Sequence, residues 1–204
     1  MAYIADTMFE VKVSNSVRNQ TQHVPGKFGT GTGAGFSADV CPAGLLCVQN
    51  GLLPLEGYAS AGLKNGNSWY FNAAASATAV STAHTGIYAF NNYDVAKATN
   101  AASGNAYNVG FETLGLPLPA DTIGDFCEII AGEQYTFGAG NFASGVTVAS
   151  VAEGDQFVIA NGLLNEATGS ETSGALIFTL LRIIPVNEGT TFWGNGYVFK
   201  ATVL

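Results

Sequence analysis

The hydrophobic positions of this chain fall into short runs separated by turn-forming residues. Seven runs rich in β-branched and aromatic residues lie at 69–71, 86–90, 135–137, 146–151, 156–159, 175–184 and 197–203. The last run, YVFKATV, alternates apolar and polar residues, which is the period of a strand with one buried face. Runs of this length and composition predict β-strands rather than helices.

Asn-Gly pairs punctuate the sequence at 50–51, 65–66, 161–162 and 195–196. Asn and Gly tolerate the positive φ angles of type I′ turns, so each pair predicts a β-hairpin turn. The 26 glycines are spread along the chain, which suits tight connections and disfavours long helices.

One segment carries helix signals. Residues 121–132 have apolar side chains at helical spacing, with Asp121 as a candidate N-cap and Gly132 as a candidate end. Gly124 weakens this helix, so helix and non-helix remain equally open there. The predicted fold is all-β: a β-sandwich or barrel-like body with an extended N-terminal arm and at most one or two short helices.

The first 35 residues differ from the rest. Residues 9–14 (FEVKVS) alternate like a strand, whereas 19–35 are polar and Gly-rich. We predict that residues 1–35 form an arm or edge strand plus a Gly-rich loop that docks on another surface; a flexible tail is the alternative. Residues 36–204 form the predicted β body. LGLPLP at 114–119 is the candidate joint if the body consists of two units, and one unit is preferred.

The chain contains unusually few charged residues. Charged residues make up 11% of the chain, against about 25% in an average soluble domain. The outer surface must therefore consist mainly of Gly, Ala, Ser, Thr and Asn, which cost little to desolvate or immobilise. Such a surface suits close packing against protein, so we expect an assembled state.

The distribution of charge excludes several partners. The net charge is −8, and the seven Lys and Arg residues are scattered, so binding to nucleic acid or to anionic lipid is not expected. Residues 1–20 lack the apolar region of a signal peptide, and no uninterrupted apolar stretch is long enough to span a membrane. We expect synthesis in a reducing cytoplasm. Cys41 and Cys47 lie in CPAGLLC and either pair or, as we prefer, remain thiols like Cys127.

Catalytic and metal-binding patterns are missing from the sequence. The segment GTGTGAG at 29–35 fits neither G-x-G-x-x-G nor a Walker loop. His23 and His84 are the only histidines, no G-x-S-x-G occurs, and Asp121, Asp125 and Glu128 are more simply solvated than catalytic. We therefore predict no catalytic residue, no metal and no cofactor, and expect that the chain is not an enzyme.

Aromatic residues beside the Asn-Gly pairs are the remaining candidates for function. Trp69-Tyr70-Phe71 and Phe192-Trp193 would form either a sugar-stacking platform or an anchor for a protein partner, although core filling accounts for at least one ring of each group. The predicted partner-contact residues are Phe9, Val11, Val13, Phe28, Trp69, Tyr70 and Trp193.

These traits together resemble the decoration or cement proteins of bacteriophage heads. The resemblance covers the charge-poor Gly/Ala/Thr-rich body, the short strands of GVTVASVAEGDQFVIANG and the polar N-terminal arm. It implies a virion protein on the capsid exterior, made in the host cytoplasm, that binds the major capsid protein and copies of itself, commonly as a homotrimer. The alternatives are a carbohydrate- or receptor-binding module, which would take a glycan, and another virion part such as a neck or tail protein.

Overall fold

Twelve β-strands form the regular structure of the described residues. The computed structural model describes residues 12–13, 23–54, 64–76, 86–91, 117–171, 173–188 and 191–204. In chain order the strands are β1 (Lys12–Val13), β2 (His23–Thr30), β3 (Ser37–Ala38), β4 (Leu46–Pro54), β5 (Lys64–Ala73), β6 (Tyr88–Asn91), β7 (Gly124–Glu128), β8 (Gln134–Phe137), β9 (Gln156–Ala160), β10 (Leu163–Glu166), β11 (Leu176–Glu188) and β12 (Thr191–Val203). Short 3₁₀ helices lie at Gly33–Gly35, Ala139–Asn141 and Val148–Ser150.

Five strands close into a barrel. Their order is β2-β5-β4-β6-β7, and β7 pairs back onto β2. Only β2 and β5 run parallel; the other four pairings are antiparallel. The short strand β3 extends β2 outside the closed ring.

The remaining strands form an antiparallel sheet of six, in the order β1-β8-β12-β11-β9-β10. We call it the C-terminal sheet, because five of its strands follow residue 133. Its centre is the β11–β12 hairpin, in which each strand has 13 residues. All-β architecture is thus confirmed, and among the described residues no helix reaches seven residues.

The barrel interior follows the period of two along its strands. Residues whose side chains point inward are large and buried, whereas their neighbours point outward. The inward set includes Val24, Phe28, Phe71, Tyr88 and Phe126. Phe71 contacts Tyr88 edge-on, with ring centroids 5.4 Å apart.

A second core joins the barrel to the C-terminal sheet. This core contains two groups of buried side chains. The barrel contributes Leu46, Ala74, Ile87, Ala89 and Ile129. The C-terminal sheet contributes aromatic rings, which include Phe137, Phe157, Phe178 and Phe199. The β9–β10 turn also docks on the barrel, because Gly162 N donates to Ala74 O at 2.7 Å and Leu46 N donates to Gly162 O at 2.9 Å. The two units therefore share one packed interface.

Several predicted strands are confirmed, one is wrong, and the structure decides the segment at 121–132 that the sequence leaves open. The runs at 69–71, 135–137, 156–159, 175–184 and 197–203 all lie in or largely overlap strands. Residues 121–132 are not helical: residues 124–128 form β7, in which Phe126 turns into the barrel. The run 146–151 is a 3₁₀ turn, where the hydroxyl of Ser150 donates to Thr147 O at 2.7 Å.

Only one Asn-Gly pair forms a hairpin turn. Asn161 and Gly162 have φ of 50° and 80° and connect β9 to β10. Gly51 also has a positive φ, 89°, but it lies in a β-bulge of β4 between Gln49 and Leu52. The pairs at 65–66 and 195–196 lie within β5 and β12. A residue with positive φ can lie either in a hairpin turn or in a β-bulge. An Asn-Gly pair in the sequence therefore does not distinguish these two structures.

The predicted boundary of the arm at residue 35 needs correction. Residues 23–30 are β2, an integral barrel strand hydrogen-bonded to three neighbours. Lys12 and Val13 form a short edge strand on β8 of the same chain, and the rest of 1–22 lies outside the described residues. The change from barrel to C-terminal sheet occurs between β7 and β8, and Leu118, within the candidate joint at 114–119, is buried and pairs through its backbone with Cys41.

Candidate functional site: a pocket in the barrel wall

A pocket of about 320 Å³ opens on the outer wall of the barrel. The parallel register of β2 and β5 places Lys27 opposite Tyr70, and both side chains point outward because their neighbours Phe28 and Phe71 point inward. The other lining residues are Phe36, Leu53, Pro54, Asp121 and Ile123. The pocket thus gathers residues from three strands and two loops.

The aromatic wall of the pocket is the pair Phe36 and Tyr70. Their ring centroids are 4.5 Å apart and their planes meet at 44°. Phe36 is brought here because β3 folds back on β2, with Gly29 opposite Ala38. A Cβ built on Gly29 would overlap the carbonyl oxygen of Ser37 and the ring of Phe36, so glycine is required for this fold-back.

The Gly-rich loop beside the pocket is held by two asparagines. Asn72 Nδ2 donates to Gly29 O at 2.6 Å, and Asn50 Nδ2 donates to Gly31 O at 3.4 Å and to the side-chain oxygen of Asn72. Carbonyl oxygens of the loop are therefore occupied by the protein's own amides. These hydrogen bonds fix the loop next to Phe36.

An ion pair forms the rim of the pocket. Lys27 Nζ donates to Asp121 Oδ1 at 2.7 Å, with side-chain exposures of 27% and 76%. Asp121 has φ of 60°, a left-handed conformation that Asp tolerates better than most residues. The carboxylate is thus placed over the pocket by the turn between Pro119 and Thr122, whose backbone hydrogen bond measures 3.3 Å.

The predicted partner-contact residues are only partly brought together. Tyr70 lines the pocket, although it is itself buried. Phe28 is 8% exposed and fills the barrel core, and Trp69 packs partly buried against the same core. Val13 pairs with Tyr135 in β1; Trp193 belongs to β12, and its side chain, like Phe9 and Val11, lies outside the described residues.

Sequence reasoning missed most of this pocket. Lys27 and Asp121 are 94 residues apart, and no local pattern links them. Asp121 was interpreted as a helix cap and Lys27 as part of an arm. The run of three aromatic residues at 69–71 is the one signal in the sequence that points to part of this pocket, at Tyr70.

The three cysteines are thiols and are buried. Burial raises the pKa of Cys41 well above its usual value, and the neighbouring Cys47 adds to this rise. Burial therefore favours the protonated thiol of Cys41, and Cys41 and Cys47 form no disulfide in the structure.

Metal and membrane features are missing from the part of the chain that is described. There, no group of three or more His, Cys, Asp or Glu side chains is placed to hold a metal ion. In the same residues no helix has the length and apolar character that crossing a bilayer requires.

Comparison with known proteins identifies no relative. No protein-family model, no curated protein and no solved structure matches this chain. The assignment of function therefore depends on the physical properties of the fold.

Proposed function

We propose that this chain is a structural virion protein that decorates and stabilises a bacteriophage capsid. It bridges subunits of the major capsid protein from the outer surface of the shell, as a homotrimer, and has no catalytic role. The observation that carries this proposal is the scarcity of charged residues, 11% of the chain, which leaves small uncharged side chains to cover much of the folded body.

Two exposed loops illustrate this surface. Residues 30–35 (TGTGAG) and 144–150 (SGVTVAS) contain no charged side chain, and most of their positions are exposed. Small neutral side chains lose little hydration and little rotamer entropy on burial. A surface of this kind therefore suits lateral contact with other protein subunits.

The outer half of the β11–β12 hairpin provides a second argument for contact with another subunit. Among the described residues, the distal half of the β11–β12 hairpin, residues 183–188 and 191–196, pairs only with itself. A two-stranded ribbon is marginally stable alone in water, and Ile183 in this ribbon is 39% exposed. Packing of the ribbon against a neighbouring subunit would stabilise it.

The N-terminal strand supports attachment by strand addition. In the part of the chain that the structure describes, Lys12 and Val13 pair with two of the four residues of β8. A short edge strand of this kind can pair instead with an edge of a neighbouring subunit, where main-chain hydrogen bonds give affinity and side chains give register.

The test is co-sedimentation with capsids assembled from the major capsid protein encoded in the same genome. The full chain is expected to pellet with capsids at a fixed stoichiometry, and a variant lacking residues 2–22 is expected to bind more weakly. This deletion spares β2, so the barrel remains intact, as circular dichroism would verify. A full chain that stays in the supernatant at every ratio would contradict the proposal.

A further inference from the structure

The barrel-wall pocket has a rim without net charge. The Lys27 ammonium and the Asp121 carboxylate lie 2.7 Å apart and cancel each other. The chain as a whole carries −8, which further disfavours an anionic ligand. A neutral ligand fits these charges best.

The same two groups offer unused hydrogen-bonding capacity. An ammonium has three donors and a carboxylate about four acceptor sites, and the described structure records one bond between them. Donors and acceptors therefore stand side by side at the mouth of the pocket. Hydroxyl groups, which both donate and accept, match such a rim.

About half of the pocket surface is apolar. Phe36 and Tyr70 present aromatic rings, Leu53 and Pro54 lie at the end of β4, and Ile123 is 50% exposed at the rim. A ligand must therefore have an apolar face of C–H groups as well as hydroxyls. Pyranose sugars combine these two properties, and aromatic side chains suit such amphipathic contact.

A purely apolar occupant, such as a side chain from a protein partner, is less favourable. It would cover the ion pair and remove water from two charges without replacing the lost hydrogen bonds, which is unfavourable. Sugar hydroxyls replace those hydrogen bonds. A volume of about 320 Å³ lies at the small end of ligand pockets, which suits one or two sugar rings.

We propose that this pocket binds a neutral saccharide of one or two hexose units. The ring packs on Phe36 and Tyr70, and its hydroxyls bond to Lys27 and Asp121. This site goes beyond capsid attachment and adds recognition of a carbohydrate-bearing surface.

The test is titration of the isotope-labelled full chain with the methyl glycosides of glucose, galactose and mannose and with maltose, cellobiose and lactose. At least one sugar is expected to shift the backbone amide signals of Lys27, Tyr70 and Ile123 in a saturable manner. The proposal is wrong if none of these probes shifts them up to its solubility limit. It is equally wrong if only an apolar peptide does so.

Matched variants separate the pocket from the rest of the surface. Lys27→Gln and Phe36→Ala are each expected to weaken sugar binding at least about tenfold. Lys200→Gln removes an exposed lysine from the C-terminal sheet and is expected to leave binding unchanged. Unchanged binding in folded Lys27→Gln would overturn the assignment, as would equal losses in both lysine variants. Capsid co-sedimentation is measured separately, so failure of one proposal does not imply failure of the other.

Discussion

The ring of Phe71 stacks on the ring of Phe126 at the centre of the barrel, with centroids 3.9 Å apart and planes 9° from parallel. The two residues belong to β5 and β7, which pair with opposite edges of β2. Gly26 is the residue of β2 that lies between them, opposite both Trp69 and Gly124. A missing side chain on β2 therefore makes room for the aromatic stack.

Replacing Gly26 by alanine is expected to destabilise the fold. A Cβ at this position would overlap the ring of Phe71 and the carbonyl oxygen of Trp69, and the carbonyl belongs to a paired strand that moves little. Overpacking of this kind costs about 1–3 kcal/mol. Urea unfolding followed by tryptophan fluorescence measures the loss. Gly145→Ala is the control, because a Cβ there meets no atom within 4 Å. Equal stability of the two variants would contradict this packing.

The buried carboxamide of Gln49 is expected to lower the free energy of unfolding. Gln49 is 1% exposed, and in the described structure neither Nε2 nor Oε1 has a hydrogen-bond partner. Gln49→Met removes both polar atoms at similar volume and is expected to raise the free energy of unfolding by about 1 kcal/mol. Gln156→Met, at an exposed position of β9, should change little. A less stable Gln49→Met would show that the amide binds a group inside the barrel.

The turn between the barrel and the C-terminal sheet is held by Tyr135. Its hydroxyl donates to Glu133 Oε2 at 3.0 Å and accepts from Ile130 N at 2.8 Å. Tyr135→Phe leaves both buried groups without this partner, so a loss of about 1–3 kcal/mol is expected in the urea assay. Tyr197→Phe, in the same sheet, is the matched control and should cost less. Similar losses would mean that the Tyr135 hydroxyl does not stabilise the turn.

Stability is expected to fall at alkaline pH. Burial raises the pKa of Tyr88 to about 12, and the Glu128 carboxylate adds to the rise; burial also raises the pKa of Tyr135. In the unfolded chain tyrosine ionises near pH 10, so the stabilisation is complete below about pH 10 and is lost as pH rises through about 12. Urea midpoints measured across this range should decline, with a shallower slope in Tyr88→Phe. An unchanged slope in that variant would remove Tyr88 from the effect.

The sequence predicts the strands of this protein better than their arrangement. Alternation identified the run at 197–203 because its period reflects one buried face, which is a local property. The barrel strand at 23–30 was missed because HVPGKFGT contains only two large apolar residues, Val24 and Phe28, with Gly26 between them. A glycine at this position is typical of a loop in the sequence alone. Its role, which is to leave room for the rings of Phe71 and Phe126, depends on the neighbouring strands.

The pocket could not be predicted from the sequence for a similar reason. Lys27 and Asp121 meet only because β2 and the residues before β7 are brought together when the barrel closes. Trp69 and Tyr70 are both predicted contact residues, yet which of two adjacent strand residues faces outward depends on which face the core occupies. Register, rather than composition, decides this point.

We propose that the charge-poor surface of this molecule is covered by other protein subunits. Quantitative co-sedimentation of the purified full chain with capsids, combined with light scattering of the free chain, is the decisive measurement. A trimer that saturates the capsid at a fixed number of copies is expected. A monomer that remains in solution at every capsid concentration would show that the surface is not covered in this way.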